Sequence, residues 1–115
     1  MKTTRVVFSD EAEEVYKYLN VQAKKSKIEA SILRAIKNKS ELIKANPQYG
    51  ETIAKSKIPE DYKIKYDVKS LYWVPLPNFW RMFYTLSKNG EIEIIAFVLD
   101  FLDHKQYNKK FGYKS

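Results

Sequence analysis

The sequence predicts an α+β domain: an N-terminal strand, a two-helix hairpin packed on one face of an antiparallel sheet of about four strands, and a basic C-terminal tail. Three observations carry this prediction. Residues 9–46 hold two runs of apolar residues at helical spacing, each preceded by a serine able to cap it. Residues 79–101 read as two apolar strands around Asn89-Gly90, a dipeptide suited to a tight hairpin turn. Residues 104–115 carry four lysines and no acid.

Thr3 to Phe8 is rich in β-branched residues, with Thr4, Val6 and Phe8 alternating against Thr3, Arg5 and Val7, the pattern of a strand. Ser9 then caps a helix whose first turn, Asp10 to Glu14, is acidic, as the helix dipole favours. Ala12, Val15, Tyr16 and Leu19 share one face of it. A second helix starts at Ser26, with Glu29 three residues on to complete a capping box. Ile28, Ile32, Leu33, Ala35 and Ile36 form its stripe, Leu42 and Ile43 extend it, and Asn46-Pro47 ends it. The short basic link from Lys24 to Lys27 makes the two helices a hairpin, whose apolar faces need a sheet to cover.

Residues 48–69 are less legible. Gly50 and Pro59 punctuate them, and Tyr62 to Val68 alternates like a strand while fitting an irregular basic loop equally well. A strand over Ser70 to Val74 is broken by Pro75-Leu76-Pro77-Asn78. Phe79 to Leu86 is the next strand, Ser87 to Gly90 a turn, and Ile92 to Phe101 the last strand, apolar on both faces over Ile94 to Leu99. Trp73, Phe79, Trp80 and Phe83 are expected in the core, because a half-buried sheet under a helix pair needs such bulk.

With 115 residues, 44% of them hydrophobic and 15% aromatic, the chain is expected to fold as one domain over residues 1–115. No apolar run approaches the roughly 20 residues that span a bilayer, and the N-terminal apolar stretch is too short for a secretory signal. Zero cysteines and one histidine argue against disulfides and against a protein-built metal site, and no cofactor motif appears. The cytoplasm is the expectation left by exclusion. The net charge of +7 is unevenly placed: residues 24–69 sum to +6 and residues 104–115 to +4, whereas residues 70–103 sum to −2. Such a surface suits an anionic partner through counterion release, or simply keeps a lysine-rich protein soluble.

Cations interleaved with flat rings are the chemistry that holds unpaired nucleotides, since phosphates take charge and every base has a face to stack. Arg81, inside an aromatic strand, is a candidate phosphate clamp; it is also placed to pair with Glu91 or Glu93 across the hairpin. His104, just past the last strand, is a candidate general base or a surface capping residue. Tyr107 and Tyr113 either stack on bases or clip the tail to the sheet. Lys55, Lys57, Lys105, Lys109 and Lys110 are candidate RNA contacts or solvated charges. No glycine-rich phosphate loop, nucleophile elbow or paired-carboxylate motif is present.

Phe-Ser-Asp-Glu-Ala at residues 8–12, the helical hairpin, and Trp80-Arg81-Met-Phe-Tyr84-Thr-Leu ahead of a strand–turn–strand together resemble the RelE/ParE toxin superfamily of type II toxin–antitoxin systems. The resemblance covers nearly the whole chain in element order and is specific at the first helix start and the Trp80–Leu86 strand. It implies either ribosome-dependent mRNA cleavage, as in the RelE branch, or inhibition of DNA gyrase, as in the ParE branch. It also implies a small acidic antitoxin as partner. In the RelE branch a ribose 2′-oxygen attacks the adjacent phosphate; the resemblance gives Arg81 the phosphate, Tyr107 base stacking or proton transfer, and His104 and Lys105 the basic positions after the last strand. That branch's strand lysines fall on Tyr72 and Val74, neither basic. The expectations are therefore a RelE-like endoribonuclease toxin, a non-catalytic binder of RNA, ribosome or a DNA topoisomerase on the same fold, or a domain whose basic groove receives only an acidic protein.

Overall fold

The computed structural model describes residues 3–90 and 92–112. The chain runs β1 (Thr3–Phe8), α1 (Asp10–Gln22), α2 (Lys27–Ala45), β2 (Glu51–Ile53), a 3-10 turn (Lys55–Lys57), α3 (Glu60–Tyr66), β3 (Leu71–Pro75), β4 (Arg81–Asn89), β5 (Glu93–Leu102) and α4 (His104–Phe111). The fold is α+β, with five strands in one open sheet ordered β1-β5-β4-β3-β2. β2 to β5 pair antiparallel, while β1 lies parallel to β5.

The expected sheet of about four antiparallel strands is thus corrected to a mixed sheet of five. β1 pairs with the last strand rather than the next one in sequence, and the intervening chain supplies the long connection that a parallel pair requires. β2 is only three residues long, Glu51 to Ile53, and a pairing that short leaves no readable alternation.

Ser9 caps α1 as its sequence position predicts: its Oγ accepts from the Ala12 N–H at 3.0 Å and donates to the Leu99 carbonyl at 2.6 Å. At α2 the Ser26 hydroxyl instead donates to the Glu29 carboxylate and caps no backbone N–H. Ala12 and Leu19 of α1 and Ile32, Leu33, Ile36 and Ile43 of α2 pack on Val74, Met82, Tyr84, Ala96, Val98 and Phe101 of the sheet. Ile28, assigned to that stripe, is 52% exposed at the first turn of the helix.

The opposite face is covered too. There Ile58, Tyr62 and Val68 pack with Leu71, Phe83, Leu99 and Leu102, flanked by Trp73, Phe97, Tyr107 and Phe111. α3 and α4 supply this second layer, so the single helical layer expected from the hairpin is corrected to helices on both faces. The stretch Tyr62 to Val68 is not a strand: as far as Tyr66 it belongs to α3, whose acidic first turn, Glu60-Asp61, follows Pro59 and which buries Tyr62 while leaving Ile64 78% exposed, and Asp67 ends that helix with a positive φ. Lysines alternate there with Tyr62, Ile64 and Tyr66, but the helix buries only Tyr62 of the three.

The expected tail is likewise a helix as far as it is described. Asp103 accepts from the Gln106 N–H at 2.8 Å, Gln106 returns a bond from the Asp103 N–H at 3.1 Å, and Gly112 ends the helix with φ 74°. On β5 a bulge opposite Phe83 and Tyr84 turns both Leu99 and Asp100 toward α3.

Candidate nucleotide-binding site

The site is built by a tight turn and one helix. Between β3 and β4, the Trp80 N–H donates to the Pro77 carbonyl at 3.3 Å and the Leu76 N–H to the Trp80 carbonyl at 2.8 Å. Asn78 and Phe79 both have positive φ, 60° and 63°, the signature of the I′ hairpin turn. Asparagine tolerates that conformation. A phenylalanine in it costs about 1–2 kcal/mol relative to an ordinary backbone. The turn consumes Phe79 and Trp80, so β4 begins at Arg81, opposite Pro75 on one side and Leu102 on the other.

Arg81 lies on the α3/α4 face of the sheet. Its guanidinium carbon is 3.8 Å from the Tyr107 ring centroid and 5.1 Å from that of Trp73. Tyr107 is itself stacked on Phe83, with centroids 5.7 Å apart, and on Phe111, 4.8 Å apart. The aromatic column therefore holds the guanidinium in a fixed plane. Arg81 Nη1 is buried without a hydrogen-bond partner. Among the described residues no carboxylate pairs with Arg81. Glu93 sits at the far end of the hairpin, opposite Asn89, where it binds Arg5 at 3.2 Å and the Asn89 side chain at 2.8 Å. Glu91 lies outside the described residues.

His104 occupies the first turn of α4, one turn before Tyr107, and is exposed. Its ring lies 6.1 Å from that of Phe79, and its Nε2 is 3.2 Å from Asn108 Nδ2. Arg81, His104 and Tyr107 thus come together at one end of the sheet.

The lysines divide. Lys105 and Lys109 are exposed and one turn apart on α4. Lys110 turns inward: it bonds Asp61 at 2.5 Å, lies 3.9 Å from Asp100 and sits over the Tyr62 ring at 4.7 Å. Beside it, Tyr62 donates to Asp100 at 2.5 Å, and burial pushes the Asp100 carboxyl above its ordinary range, against the opposing pulls of Tyr62 and Lys110. This network fastens α4 to α3 and β5. Lys55 and Lys57 are exposed, but β2 carries the chain away from Arg81, with Glu51 opposite Trp73 and Ile53 opposite Leu71. Lys63 and Lys65 face Glu60 and Glu11. Tyr113 lies outside the described residues.

Tyr72 and Val74 point into the helical-hairpin core, on the face opposite Arg81, and Tyr72 stacks on Tyr84. On the Arg81 face β3 offers Trp73 and Pro75 instead, so no second cation stands beside Arg81 on that strand. Phe83 is fully buried and Trp73 and Trp80 pack partly against the cores, but Phe79, expected in the core, is 79% exposed. A period-2 count puts Phe79 on the strand; only the turn geometry takes it off. A groove of about 470 Å³ lined by Tyr66, Lys69, Ser70, Thr85, Ser87 and Phe97 lies toward the other end of β4 from Arg81. No protein family, no curated protein and no solved structure was found to match this chain.

Proposed function

We propose that this protein binds single-stranded RNA at the Arg81 end of the sheet and acts as a RelE-like toxin, cleaving ribosome-bound mRNA by attack of a 2′-oxygen on the adjacent phosphate. The observation that carries the proposal is the Arg81 guanidinium, held against Tyr107 and Trp73 and left without a carboxylate among the described residues. A cation kept at a sheet end without an anionic partner is suited to a phosphate. In this reading Arg81 stabilises the pentacoordinate phosphorane, His104 takes the 2′-OH proton, the P–O5′ bond breaks to leave a 2′,3′-cyclic phosphate while the departing 5′-oxygen takes a proton from water, and Tyr107 keeps the guanidinium in plane. Lys105 and Lys109 contribute charge along the strand's path, and a small acidic antitoxin covers the basic surface when the toxin is silent.

Induced expression of the protein should arrest growth, and the Arg81→Ala variant should lose that arrest while staying folded. Transcripts from arrested cells should carry cuts at fixed codon positions. If the protein neither arrests growth nor binds ribosomes or RNA, the proposal fails. A second reading, binding without cleavage, is favoured by the hydrophobic positions Tyr72 and Val74 and by the lack of another cation beside Arg81 on β3. Arrest with intact transcripts selects it, and gyrase-dependent DNA damage selects its topoisomerase form.

A further inference from the structure

Phe79 is the feature that neither core nor fold explains. It is 79% exposed, belongs to neither hydrophobic cluster, and holds a positive φ of 63° that glycine or asparagine would adopt with less strain. Its ring contacts the exposed His104, and two residues on stands Arg81. Asp103, the residue before His104, directs its carboxylate at the Gln106 N–H as a helix cap.

We propose that Phe79 is the nucleobase-stacking residue of this protein: an unpaired base lies on its open face while Arg81 holds the neighbouring phosphate. The inference rests on the RNA-binding reading above and adds the residue that takes the base. A base cannot lie between Phe79 and His104. Two van der Waals contacts of about 3.5 Å each are needed, and their rings are 6.1 Å apart and tilted by 57°. His104 therefore props the ring from one side and the opposite face stays open. The turn fixes the backbone that carries the ring, so only side-chain freedom is lost when a base stacks on it. Tyr107 cannot take this role in the same way, because its ring is packed with Phe83, Phe111 and Arg81. Arg81, two residues on and without a carboxylate among the described residues, suits a nucleic acid better than an apolar protein segment.

The test measures binding of a short fluorescent single-stranded RNA and, separately, of inorganic polyphosphate, which has charge but no bases. Phe79→Gly should keep or raise the melting temperature, because glycine accepts the positive φ. It should weaken RNA binding by about 5- to 150-fold, the worth of one base stacked on an aromatic ring, and leave polyphosphate binding within about twofold. Phe79→Trp should bind RNA within about twofold of the native protein. RNA binding by Phe79→Gly that stays within twofold overturns the proposal, and so does an equal loss for RNA and polyphosphate. Unchanged RNA affinity with lost growth arrest assigns the ring to a protein partner and also overturns it. Failure of the native protein to bind RNA removes the RNA reading itself, a result distinct from failure of the variant alone.

Discussion

Arg81→Met separates a residue kept for stability from one kept for a ligand. Methionine fills similar space against Trp73 and Tyr107 without the charge or the buried Nη1 that lacks a partner. Removing a buried unsatisfied donor should return about 1–3 kcal/mol. Losing the cation–π contacts with Tyr107 and Trp73 should cost about 1–2 kcal/mol at a partly buried site. The two terms nearly cancel, so denaturant unfolding of Arg81→Met should give a stability within about 1 kcal/mol of the native protein, on either side. RNA binding should behave differently. A charge-assisted contact to phosphate is worth about 1.5–3 kcal/mol, so affinity should fall about 10- to 150-fold. The slope of log affinity against log salt should flatten by about 0.7, the share of one phosphate on a single strand. Anisotropy titrations across a salt series and urea titrations on the same samples read both. A loss of more than about 2 kcal/mol in stability, or RNA affinity unchanged within twofold, would refute the reasoning.

Three further outcomes follow from the same geometry. His104→Gln should abolish RNA cleavage on ribosomes while changing oligonucleotide affinity less than about threefold, since it removes a proton acceptor and not a charge clamp; a parallel loss of binding refutes the assignment. Asp100→Asn should not destabilise the protein at neutral pH, because the raised Asp100 carboxyl binds its proton more tightly folded than unfolded. Its contribution to native stability therefore falls as pH rises from the ordinary Asp value of 3.8 through the raised one, and the variant should gain on the native protein across that window in pH-dependent unfolding. Gly50→Ala should lower stability by about 1–3 kcal/mol, since an added Cβ would sit 2.9 Å from the Trp73 carbonyl oxygen and 3.0 Å from the Tyr84 hydroxyl that accepts from the Gly50 N–H. Thermal unfolding checks it, and an unchanged melting temperature would show that the loop shifts freely.

How much of this was legible before folding depended on how local each signal is. The Ser9 cap and the Asn46-Pro47 stop are decided by neighbouring residues, and each stands where the sequence puts it; the turn expected over Ser87 to Gly90 is corrected, because β4 runs on through Asn89 opposite Glu93 and the chain turns only from Gly90, with its positive φ. The capping pair Asp103 and Gln106 and the terminal Gly112 are local signals too, and they make residues 104–111 a helix where the lysines alone suggest a tail. The residues of the candidate site were found by type, but their partners were not. Arg81 was expected either to pair with an acid or to await a phosphate. Only the strand register shows Glu93 bound to Arg5 at the far end of the hairpin.

The sequence by itself determined the α+β class, both helices of the hairpin, the three main strands and the net positive charge, because periodicity, capping and turn chemistry act over a few residues. The tertiary structure alone decided that β1 runs parallel to β5, that α3 and α4 cover the second face, and that Tyr72 and Val74 face away from Arg81. It also turned Lys110 inward and Phe79 outward. Those outcomes depend on which distant surfaces meet, and burial of an aromatic column or pairing of a buried carboxylate is settled only when the partner element arrives.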